Sequence, residues 1–136
     1  MSRSTARLVA LVGVALLLTG ATVGVLFGPI FGENDRSGDL VVSLVQLGLL
    51  LALGGGTVAL ATRPKLARWG RNLMLVGIAG GFLAWVTDVR GTWSDPLQVV
   101  ANLAWIVSTL STLGLVAFII AAAVLRARRD RALRRD

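Results

Sequence analysis

Enzymes and redox carriers depend on side chains that titrate, attack or hold a metal, and this chain has few of them. There is no Cys, so disulfides, thiolate nucleophiles and thiolate metal sites are excluded. There is no His either, which removes the usual haem and zinc ligand and the usual general base near neutral pH. Tyr is also absent. What remains is seven carboxylates, 14 Arg and Lys, and scattered hydroxyls and amides. No phosphate-binding loop, metal cluster or nucleophile elbow occurs. The expectation is a protein that is not an enzyme and carries no cofactor, with no catalytic or metal-binding residue assigned. An enzyme acting on lipid would have to use Asp88 or Asp95 as acid or base.

The polar groups that could still form a site sit inside apolar stretches. Thr19, Thr22, Ser43, Gln46, Thr87 and Asn102 all fall within about 12 Å of the expected outer ends of these stretches, at 1.5 Å per residue. Gln46 and Asn102 lie at similar depth past Asp39 and Asp95. Ser108, Ser111 and Thr112 share one helical face deeper in. A candidate polar pocket therefore comprises Gln46, Asn102, Ser108 and Thr112, with Asp88 at its rim. The competing structural reading is hydrogen bonding between helices, which contributes about 0.6 kcal/mol per contact in a bilayer. No ionisable residue lies deep in an apolar stretch, which disfavours proton relays and ion-coupled transport.

The elements that must hold these groups are unlike those of a soluble domain. Of 136 residues, 55% are hydrophobic and 15% charged, and the apolar residues come in long blocks with no polar face. Such blocks read as bilayer spans. The longest uncharged block, Pro96–Leu125, is followed at once by the basic tail Arg126–Asp136. The fold class expected is an all-α membrane protein with four transmembrane helices, about 8–27, 40–61, 72–88 and 97–125. Residues 1–125 form a single four-helix domain and 126–136 a basic cytoplasmic tail that can continue the helix.

Each boundary has a chemical reason. Arg3 and Arg7 before Leu8–Phe27 resemble the order of a signal peptide, but 20 residues exceed a typical apolar core and no clear Ala-x-Ala site follows, so a retained span is expected. Gly28-Pro29 stops that helix. Asp39 is placed to cap the second helix, and Asp95-Pro96 with Gln98 forms a capping signature for the fourth. The second loop, Thr62–Arg71, holds Arg63, Lys65, Arg68 and Arg71. The third span is the weakest: the sixteen residues between Arg71 and Asp88 rise about 24 Å, against a core of about 30 Å. Trp69 and Trp93 suit the headgroup level.

Charge sets the orientation. The N-terminus, the second loop and the tail hold two, four and six of the 14 basic residues. The first and third loops hold only Arg36 and Arg90, but five acids: Glu33, Asp35, Asp39, Asp88 and Asp95. With four spans every basic segment falls on one side, and the positive-inside rule makes that side the cytoplasm. The expected location is the plasma (inner) membrane, multi-pass, with both termini cytoplasmic. The six tail arginines read as contacts with anionic headgroups rather than nucleic acid, because no aromatic is interleaved to stack on bases.

The spans form two consecutive hairpins, with a faint echo between Arg7…Leu11-Val12-Gly13 and Arg71…Leu75-Val76-Gly77. Small residues recur every fourth position: Gly20, Gly24 and Gly28; Gly48, Ala52 and Gly56; Gly77 and Gly81; Ala104, Ser108 and Thr112. In lipid such stripes let helix backbones approach closely. The run Gly54-Gly55-Gly56 marks close packing or a local break. Together these features point to a non-catalytic accessory or scaffold subunit that packs with a membrane partner or with itself. The alternative is a small oligomeric channel or transporter with an outward-facing polar pocket.

Overall fold

The structure, a computed structural model, describes residues 1–28, 36–88 and 94–134, with side chains for all but 36 and 37. Pro29, Glu33, Asp35, Arg90 and Trp93 lie outside the described residues.

The chain is all-helical, with α1 (Arg3–Phe27), α2 (Arg36–Leu60), α3 (Pro64–Thr87) and α4 (Pro96–Leu133). The helix starts follow from local chemistry. The Ser2 hydroxyl accepts from the Thr5 amide at the head of α1, and Asp95 accepts from the Leu97 amide at the head of α4, with Pro96 in the first turn. Three helical segments, Arg3–Phe27, Gly38–Leu60 and Pro96–Leu133, are long and apolar enough to cross a membrane.

Two boundaries differ from the sequence expectation, and at a third the helix takes the continuation allowed for it. The second loop is shorter than Thr62–Arg71, because Pro64 takes the first position of α3 and carries Lys65, Arg68 and Arg71 into the helix. Helix α3 lies outside that apolar set, with Arg71 and Asn72 at the head of its otherwise apolar run. Helix α2 begins at Arg36, so Asp39 sits within the first turn instead of capping it; a carboxylate there still favours the positive helix end. Helix α4 runs without a break through the basic tail to Leu133, and its 38 residues rise about 57 Å.

Helix α2 is the hub. It packs extensively on α1, α3 and α4, and α3 packs on α4, while α1 has extensive contact with α2 alone. The three consecutive glycines of α2 explain how one helix serves three neighbours. Successive residues turn by about 100°, so each glycine faces a different way. A Cβ on Gly54 would meet Met74 of α3, one on Gly55 would meet the backbone of Ala6 and Ala10 of α1, and one on Gly56 would meet Ile119 of α4. The run is a three-way packing junction inside an unbroken helix.

Leu50, Met74 and Leu115 are buried together where α2, α3 and α4 meet. A smaller cluster of Ala6, Val58 and Ala59 joins α1 to the far end of α2. Arg3 and the α4 residues Arg126 and Arg129 line one pocket, so the start of α1 and the end of α4 lie at the same end of the body.

Candidate functional site

The polar groups of the interior converge on one node. The Gln46 side-chain amide of α2 donates to Thr112 Oγ1 at 2.8 Å and to Ser108 Oγ at 3.2 Å, both on α4. Ser108 Oγ in turn donates to the Gly77 carbonyl of α3 at 2.9 Å. Thr112 Oγ1 donates to the Ser108 carbonyl one turn back. Ser108 is fully buried. Gly77 makes the node possible: a Cβ there would meet the Leu50 side chain, and the bare backbone lets the Ser108 hydroxyl reach its carbonyl.

The structure thus brings together three residues of the expected pocket, Gln46, Ser108 and Thr112, and leaves two apart. Asn102 accepts from the Gln98 side chain on its own helix at 3.2 Å. Asp88 ends α3 as its C-cap residue, half-buried. Four other helix hydroxyls bond back to the carbonyl four residues earlier: Thr19 to Ala15, Thr57 to Leu53, Thr87 to Leu83 and Thr109 to Trp105. A back-bonded hydroxyl is satisfied within its helix and tolerates an apolar surrounding.

Beside the node, α2, α3 and α4 enclose a groove of about 300 Å³. Its lining is almost wholly apolar, with Phe82, Trp85 and Trp105 as the aromatic members and Ser43 and Gln46 as the polar ones. Ser43 Oγ is buried without a hydrogen-bond partner. Among the described residues, no group of three or more His, Cys, Asp and Glu stands close enough to hold a metal ion.

The packing glycines divide in the same way. Gly20, Gly24 and Gly48 lie on the α1–α2 seam, Gly56 faces α4, and Gly77 and Gly81 face Ser111 and Ser108 of α4. The tightest approaches include two glycines outside the expected stripes. A Cβ on Gly13 would run into the Ala52 backbone, and one on Gly55 would lie 2.7 Å from the Ala10 nitrogen. The signal that finds them is a seven-residue spacing: Ala6, Gly13 and Gly20 are the buried residues of α1, and Val41, Gly48 and Gly55 repeat it on α2. Gly13 meets Gly48 and Ala52, while Gly24 meets Val41, so the two helices run antiparallel.

No family model matches the chain, and no curated protein or solved structure matches it significantly. What the fold defines is a class: an all-helical protein, three of whose helices are long and apolar enough to cross a membrane.

Proposed function

We propose that this chain is a non-catalytic integral membrane protein in which all four helices span the bilayer as two consecutive hairpins, with both termini in the cytoplasm. Within a plasma (inner) membrane it acts as an accessory or scaffold subunit, packing with a membrane partner or with a second copy. The basic end of α4 meets anionic headgroups. The orientation draws support from the arginines of α1 and α4 sharing one pocket, and from the positive-inside rule.

The observation that carries the scaffold reading is the uneven burial of α1. It is buried along its small-residue seam, while Leu11, Leu18 and Val25, each seven residues apart, stay exposed in a continuous apolar stripe. Lipid or another helix covers such a stripe at little cost. The interior polar groups meanwhile hold helices together, since Gln46, Ser108 and Thr112 bond to one another and to Gly77. Mass measurement in mild detergent tests the reading: a dimer or a co-purifying membrane protein is expected, and a strict monomer with nothing bound overturns it. Exposure of both termini to protease added outside intact cells overturns the orientation.

One observation favours the second reading, a small channel or transporter: the unpartnered Ser43 hydroxyl beside the groove. Reconstituted protein would then conduct a solute, and flux unchanged by Gln46→Leu with Asn102→Leu removes that reading.

A further inference from the structure

The pocket shared by the start of α1, the end of α2 and the basic part of α4 is built from residues far apart in sequence. It measures about 250 Å³. Arg3 of α1 lines it together with Arg126, Arg129, Asp130 and Leu133 of α4. The α4 residues follow the spacing of a single helical face. Arg128 and Arg131, equally basic, do not line the pocket. Ala59 and Leu60 of the apolar last turn of α2, with Thr62 beyond, complete the lining.

We infer that this pocket holds the phosphodiester headgroup of one anionic phospholipid, which bridges α1 to α4. The inference rests on the membrane reading above and names one partner within it. Three guanidinium groups against one carboxylate leave two net positive charges around the cavity. Arg presents a planar fork of donors that matches a phosphate. Arg3 also opens α1, where the amides of the first turn add a partial positive charge. The mixed lining selects a lipid over free phosphate. Leu60 and Leu133 accommodate glycerol and acyl carbon beside the cationic rim, whereas a free anion gains nothing from them. The pocket also lies where α4 passes from the uncharged run ending at Leu125 to arginine, the level of a lipid phosphate. A bound headgroup ties together two helices that otherwise have little contact with each other.

The test compares two variants of equal charge loss. Full-length protein is released from nanodiscs of phosphatidylglycerol and phosphatidylcholine, and its retained lipid is read by native mass spectrometry. One phosphatidylglycerol per chain is expected. Arg126→Gln with Arg129→Gln removes it, Arg3→Gln weakens it about fivefold, and Arg128→Gln with Arg131→Gln leaves it within about twofold. Equal loss in both double variants overturns the pocket in favour of diffuse tail electrostatics. Retained phosphatidylcholine overturns headgroup selectivity, and displacement by millimolar inorganic phosphate reassigns the pocket to a free anion. Circular dichroism of each variant checks helicity. Protein that stays dissolved without detergent sinks the membrane reading itself, a result separate from loss of the lipid adduct.

Discussion

The α1–α2 seam and the α2–α3–α4 junction bind helices by different means. Along the seam, backbone lies on backbone. Gly13, Gly48 and Gly55 each face main-chain atoms of the opposite helix, and the side chains against Gly20 and Gly24 are those of Val41, Leu44 and Val45. At the junction, side chains fill the space: Leu50, Met74 and Leu115 interlock, and Gln46, Ser108 and Thr112 add hydrogen bonds. In a bilayer, water does not drive helices together, so both regions rely on contact quality. The seam gains dispersion contacts from close approach, and no side chain can yield when something is added. The junction can repack, because its atoms sit at the ends of rotatable bonds. Intolerance to added volume should therefore concentrate at the seam, and sensitivity to removed volume or polarity at the junction.

The largest effect expected is from Gly13→Leu. Its Cβ alone meets the Ala52 backbone, so α1 must move away from α2, at a cost of about 3 kcal/mol. All described tryptophans, Trp69, Trp85 and Trp105, lie in α3 and α4. Release of α1 should then leave their emission unchanged while denaturant resistance falls. A matching shift in emission means that the two regions unfold as one, and the contrast fails.

Next come two changes of about 2 kcal/mol with opposite causes. Gly55→Ala overfills the seam against Ala10, and Leu50→Ala empties the junction. In unfolding assays in mixed micelles, lowered temperature should ease neither. A small apolar solute such as benzene should partly restore Leu50→Ala and not Gly55→Ala, because only the former leaves a cavity.

Gln46→Leu removes two hydrogen bonds and should lower stability by about 1 kcal/mol, with Ser108 still held by the Gly77 carbonyl. A loss above about 3 kcal/mol would mean that the node, not packing, dominates the junction. The smallest effect expected is from Gly56→Ala, one residue from Gly55. Its neighbour is the flexible end of Ile119, and the change should stay within about 0.5 kcal/mol. If both alanine variants lose equally, the seam is no stiffer than the junction.

Much of this architecture is legible in the residues themselves. Uncharged blocks give the helices, and Asp95-Pro96 gives the start of α4. Gln46, Ser108 and Thr112 are conspicuous as polar groups in apolar runs. Their partnership is harder to read, because counting depth from Asp39 and Asp95 assumes that α2 and α4 start level. Gln46 instead meets Thr112, so α4 begins further out than α2, and Asn102 is carried past the node to bond with Gln98. The seam was partly hidden for another reason. Stripes counted every fourth residue find Gly20 and Gly24 but step over Gly13, whose place follows a seven-residue repeat. The helical start of α3 is masked by its cations: Lys65, Arg68 and Arg71 resemble a loop, although Pro64 before them is a helix-opening residue.

The hub position of α2 bears on how the chain is made. Helix α1 is synthesised before α2, and its one extensive partner is complete by Leu60, before any residue of α3 is made. On the membrane reading, the first pair can therefore close while translation continues. The second pair then assembles on a finished surface, and a chain ending near Leu60 already carries every residue of the α1–α2 seam.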